Sequence, residues 1–109
     1  MSQFLVCKNG IVSHWCSACH SMHDFHIGKP HPITDAQWSW DGNIVEPTFD
    51  PDMLYKWFSL TKVIKVCHYT LIGGEIHYHD DCTHVLKGIT VWLPPLPRWI
   101  RTDACYNLP

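Results

Sequence analysis

Cys16 and Cys19 are separated by two residues in His14-Trp15-Cys16-Ser17-Ala18-Cys19-His20, and further soft or imidazole donors follow at Cys67-His68 and Asp81-Cys82-Thr83-His84. Two thiols at Cys-x-x-Cys spacing supply half of a tetrahedral zinc shell, which a remote second group of donors completes. Zinc suits thiolate and imidazole and imposes no d-electron geometry, so a knuckle plus two distant ligands is its usual arrangement. The preferred closed shell is Cys16, Cys19, Cys67 and Cys82. The alternative replaces Cys82 with His84, and His23, four residues beyond Cys19, is a further nearby donor. Four of Cys16, Cys19, Cys67, Cys82 and His84 are expected to hold the ion.

An all-cysteine shell leaves His23, His68, Asp81 and His84 over. Imidazoles and a carboxylate are also the material of an open catalytic metal site or a general acid/base pair, with His23, His68 and Asp81 as candidate catalytic residues. The plainer reading is that they orient the ligands through hydrogen bonds. It is preferred because no complete hydrolase motif such as His-Glu-x-x-His occurs. Cys16-Ser17-Ala18-Cys19-His20 also fits the spelling of a c-type haem attachment site, but Met1-Ser2-Gln3-Phe4 lacks the features of an export signal. A thioredoxin-type dithiol would open a helix in a βαβ unit, and a Rieske-type cluster would need a later Cys-x-x-His. Neither context is present.

The elements that must position these residues read mainly as strands. Asn9-Gly10 suits a tight hairpin between Phe4-Leu5-Val6 and Ile11-Val12, because both turn positions tolerate positive φ. Phe25 to Ile27 and Trp38 to Trp40 read as short strands, and Pro47 and Pro51 exclude a helix between them. Leu54, Trp57 and Phe58 fall on one face of a short helix over residues 53–60. Val63 to Ile72 is rich in β-branched residues and turns at Gly73-Gly74 into Glu75 to His79, and Ile89 to Leu93 is a further strand. The expected fold is mainly β, with a small α+β variant possible, as a single domain over 1–109 with a zinc knuckle and a central hairpin.

The Gly-Gly turn fixes a register in which Ile72 faces Glu75, Leu71 faces Ile76 and Tyr69 faces Tyr78, with Cys67 on the same side as Tyr69. His68 then meets His79 on the opposite side. Neighbours on a regular strand point to opposite faces, so Cys67 and His68 are not expected to share one metal.

Composition sets the remaining bounds. Hydrophobic residues make up 46% and charged residues 17% of the 109, a globular balance, while nine His, six Cys and six Trp exceed what core building needs. The tryptophans read as core and rim packing. The net charge of −2 and the scattered Lys and Arg argue against nucleic acid. No apolar run approaches a membrane span. A cytoplasmic location is expected, where thiols stay reduced, so the cysteines read as ligands or buried small hydrophobes, with Cys7 and Cys105 as buried thiols.

Several of these segments together resemble a family of small phage and bacterial proteins that often carries the label ammonia monooxygenase. They are Trp15-Cys16-x-x-Cys19-x-x-x-His23, Trp40-Asp41-Gly42-Asn43, Pro47-Thr48-Phe49-x-Pro51, Cys67-His68, Gly74-x-Ile76 and Asp81-Cys82-Thr83-His84-x-Leu86-x-Gly88-x-Thr90-Val91. The resemblance implies a compact zinc-binding domain, an accessory or counter-defence protein of phage or bacterium acting in the host cytoplasm, and no established reaction. The family pattern admits serine where Cys82 stands, which favours His84, and has glycine where His20 stands. A copper-dependent membrane oxygenase would need membrane helices. The expected function is binding of a protein partner, possible modulation of a host or defence system included; the competing expectation is a zinc-dependent hydrolase using the His/Asp cluster.

Overall fold

The computed structural model describes residues 4–100, and every regular element among them is a strand. The strands are β1 (Leu5–Lys8), β2 (Ile11–Cys16), β3 (Ser21–His26), β4 (Ser39–Trp40), β5 (Phe49–Asp50), β6 (Met53–Phe58), β7 (Ile64–Ile72), β8 (Glu75–Tyr78) and β9 (Thr90–Trp92). They form a three-stranded sheet β1-β2-β3, a two-stranded sheet β4-β5 and a four-stranded sheet β6-β7-β8-β9, all antiparallel.

The hairpin turns lie where the sequence places them. Asn9 and Gly10 have φ of 54° and 76°, the left-handed pair that a two-residue hairpin turn demands. A side chain at Gly10 would also meet the Gly28 backbone at 2.9 Å, where the Ile27 and Gly28 amides bond the Gly10 carbonyl. Around Gly73-Gly74 the register is Ile72 to Glu75, Leu71 to Ile76, Thr70 to His77 and Tyr69 to Tyr78, as expected. The helix expected over 53–60 is not formed. Residues 53–58 are instead strand β6, held by six cross-strand pairs from Met53–Tyr69 to Phe58–Ile64, and this ladder outweighs a three-residue helical spacing.

The inner faces of the larger sheets meet through side chains. Val12, His14 and Cys16 alternate inward from β2, Cys67, Tyr69 and Leu71 from β7, and Ile76 and Tyr78 from β8. Phe25 stacks on Phe49 at 4.1 Å and nearly parallel, Trp40 stacks on the same ring, and Trp38 meets Phe25 edge to face. Burial of such side chains contributes roughly 1.5–3 kcal/mol each, and here it forms one cluster. Cys7 corrects the reading of that residue as a free buried thiol, because it is disulfide-bonded. Whether two cysteines pair is set by their local geometry, which a presumed compartment does not determine. Cys105 lies outside the described residues.

Candidate metal centre

The Cys-x-x-Cys knuckle is the loop of the β2–β3 hairpin. Cys16 closes β2 opposite Ser21, the His20 amide bonds the Cys16 carbonyl at 2.8 Å, and His20 takes φ of 52°, a left-handed conformation to which glycine is best suited. The same register sets His23 opposite His14, so both imidazoles and Cys16 share the inward face. From the facing sheet β7 delivers Cys67. The sulfurs of Cys16, Cys19 and Cys67 and one nitrogen of His23 all lie within 4.8 Å of one another. Cys16 and Cys67 sulfurs are 3.9 Å apart, close to the edge of about 3.8 Å that a tetrahedron with metal–sulfur bonds of ~2.3 Å requires. The donor set and its spacing therefore fit a metal ion.

Hydrogen bonding fixes which His23 nitrogen faces the sulfurs. His14 Nδ1 lies 3.2 Å from the Trp15 carbonyl, which can only accept, so Nδ1 carries the His14 proton and Nε2 is bare. Nε2 then accepts from the Tyr69 hydroxyl at 2.5 Å. With its proton committed, the Tyr69 oxygen accepts from His23 Nδ1 at 3.0 Å, which leaves the His23 Nε2 lone pair free to bind a cation. Burial, with His23 nearby as the second cause, holds His14 down to about 4, so it is neutral near pH 7 as the relay needs. Burial likewise lowers His23 and keeps the Tyr69 phenol protonated well above its usual range.

The opposite logic applies to His84. Its Nδ1 accepts the Leu86 amide at 3.2 Å, so its proton sits on Nε2, which donates to the Cys67 sulfur at 3.4 Å. Tyr78 donates its hydroxyl to the Cys16 sulfur at 3.2 Å. Both donors favour thiolate, and three thiolates with a neutral imidazole exceed the charge of a divalent cation by one. In the protein alone the sulfurs share protons. Hydrogen bonds from Cys19, then Cys67, push the Cys16 thiol far down, and the same bonds push Cys19 up to about 12 and Cys67 higher still.

The residues expected from sequence are distributed as follows. Cys16, Cys19 and Cys67 converge, with His23 as the fourth donor of the cluster and His84 hydrogen-bonded at its rim. Cys82 is buried, and its sulfur bonds the His68 amide at 3.2 Å and the His68 carbonyl at 3.1 Å, tying the loop to the backbone of β7. The candidate catalytic set is divided by β7. His23 lies inside, whereas His68 and Asp81 meet on the outer face, with His68 Nδ1 2.9 Å from the Asp81 carboxylate. His14, Tyr69, Tyr78 and Asp52 were not singled out from sequence. The alternation Val12, His14, Cys16 and the four-residue loop after Cys16 were the signal that could have found His14. Comparison of the chain with protein-family models, curated proteins and solved structures gives no match. No helix among the described residues is long and apolar enough to cross a membrane.

Proposed function

We propose that the chain is a small β domain stabilised by zinc, held by Cys16, Cys19, Cys67 and His23, and that it acts by docking a protein partner. The observation that carries the reading is closure. Four donors converge, with Cys16 and Cys67 at 0% and His23 at 2% exposure and Cys19 half-buried at the hairpin loop, so an ion there meets a full tetrahedron and no free position for substrate. Such an ion cross-links the sheets and substitutes for core.

A docking edge is supported by β6. Among the described residues it ends the four-stranded sheet and pairs with β7 alone, and it is exposed from Leu54 to Phe58. Leu54, Trp57, Phe58, Leu60, Val63 and Ile64 are all exposed, and Leu60 is fully so. An apolar edge strand of this kind is a template for strand addition by another chain. The phage or bacterial accessory role implied by the resemblance is a setting in which such docking would serve. Two measurements test the reading. Tightly held zinc, the ion that survives dialysis, should be one per chain and lost together with folding in Cys16→Ser. In affinity capture from bacterial lysate, a partner retained by the wild type should be lost with Phe58→Asp, at the exposed end of β6; capture of nothing above background, or equal capture by the variant, would count against docking through β6.

A further inference from the structure

We infer that the outer face of β7 carries a second metal site of a different kind, an open and exchangeable one for a divalent cation of the zinc class, held by Asp52, His68 and His79. Ligand atoms of these three residues lie within 4.8 Å of one another. His68 and His79 are cross-strand neighbours just past the Tyr69–Tyr78 pair, joined by the His79 amide to the His68 carbonyl at 2.8 Å, and their rings are 4.0 Å apart. Asp52, immediately before β6, brings its carboxylate to His68 Nε2 at 2.5 Å.

Two features make this more than an ion pair. His68 Nδ1 is gripped by both oxygens of Asp81, at 2.9 and 3.0 Å. That is the carboxylate–histidine arrangement that orients a metal-ligating imidazole and raises its basicity, and it leaves Nε2 as the donor aimed at Asp52. A cation bound there replaces the Nε2 proton and bridges two groups already in contact. Second, the set stops at three ligands from three segments on an accessible face, where His68 and His79 are half-buried and Asp52 is exposed. Asp52 also lines a cleft of about 500 Å³ with Asp24, His26, His31 and Trp38. Three protein ligands with open positions beside a cleft is the pattern of a site that keeps water or an anionic group on the metal. The interior centre lacks every one of these properties, and the second site does not depend on it.

Cobalt titration of the purified protein tests the assignment, because thiolate ligation gives an intense sulfur-to-cobalt charge-transfer band and a nitrogen/oxygen site gives only weak visible bands. A Co²⁺ equivalent binding without the charge-transfer band is expected. His79→Ala should weaken that equivalent at least tenfold. Asp81→Asn, which removes no ligand, should weaken it about 10–100-fold, as loss of an orienting carboxylate does. Circular dichroism unchanged from wild type confirms that these surface variants remain folded. Failure to bind an equivalent lacking the band, or its retention in His79→Ala, would overturn the second site. The charge-transfer band separately reports whether the interior sulfurs bind metal, so failure of one site is not read as failure of the other.

Discussion

Cys67 and His68 are adjacent in the chain and face different chemistry. Inward from β7, Cys67 joins the buried sulfur of Cys16 and the half-buried sulfur of Cys19, and Tyr69, Tyr78, His14 and His84 supply hydrogen bonds around them. Outward, His68 stands between two exposed carboxylates with room for solvent. The period of two along a strand is what permits this. A closed shell of sulfur and imidazole spends ligand binding on folding, while an open shell of imidazole and carboxylate leaves coordination positions for something else. One strand can therefore serve both if the two sets of donors alternate along it.

The sharpest way to break this contrast is to remove a sulfur. Structural zinc contributes apparent binding energies of roughly 10–16 kcal/mol, so Cys16→Ser should abolish both the ion and the cooperative thermal transition, whereas His68→Ala should keep both. Metal analysis and circular dichroism melts read the outcome; a stably folded, metal-free Cys16→Ser protein would remove the interior centre from consideration.

The fourth donor comes next. Because His23 Nε2 is bare and His84 Nε2 is protonated, His23→Ala should release the ion, while His84→Ala should retain it with affinity reduced by no more than about 10–100-fold, the cost of losing an outer hydrogen bond. Competition with a chromogenic chelator ranks the two, and the reverse order would assign the ligand to His84.

Tyr69→Phe probes the relay alone. It leaves His14 Nε2 and the His23 Nδ1 proton unpaired in the core, at about 1–3 kcal/mol each, so a loss of roughly 2–6 kcal/mol is expected in chemical denaturation. Binding on the outer face should not change, and a denaturation midpoint equal to wild type would show that the hydroxyl does not bridge the imidazoles.

The two faces should also respond to pH with opposite sign. His14 is lowered from 6.5 to about 4, so below pH 6.5 the unfolded chain takes up protons that the folded one refuses, and stability falls between about 6.5 and 4 by on the order of 3 kcal/mol. For His68 partial desolvation works against the charge, but bonds from Asp52 and Asp81 outweigh it and raise the value. Its contribution is full below the unfolded value and is lost as pH rises through the folded one, by less than about 1 kcal/mol because the carboxylates are exposed. Denaturation midpoints across pH 4–8 for wild type and His68→Gln separate the two, since only the alkaline loss should disappear in the variant.

Much of the fold was legible because the turns announce themselves. Asn9-Gly10 and Gly73-Gly74 fix registers, and the second register separates Cys67 from His68. Residues 53–58 were not legible as a strand, since what decides their state is the partner strand β7 and not their own spacing. Within the metal cluster, Cys16 and Cys19 declare themselves by local spacing, but the competition among Cys82, His84 and His23 depends on which nitrogen carries a proton. That is set by Leu86, Trp15 and Tyr69, residues with no sequence mark of ligation. Asp52 was missed for a similar reason, because its nearness to His68 is created by the pairing of Leu54 with His68.

The links from the Trp15 carbonyl through His14 and Tyr69 to His23 all run one way, and this restricts how the sequence can drift. A residue at position 14 that offers Tyr69 a donor in place of an acceptor turns the hydroxyl around and moves the His23 proton onto the nitrogen that faces the sulfurs. Position 14 is not among the four donors, yet it would decide whether they can hold an ion. Natural variants that lose His14 should therefore also differ at Tyr69 or His23, a coupled inheritance carried by proton direction and not by side-chain volume.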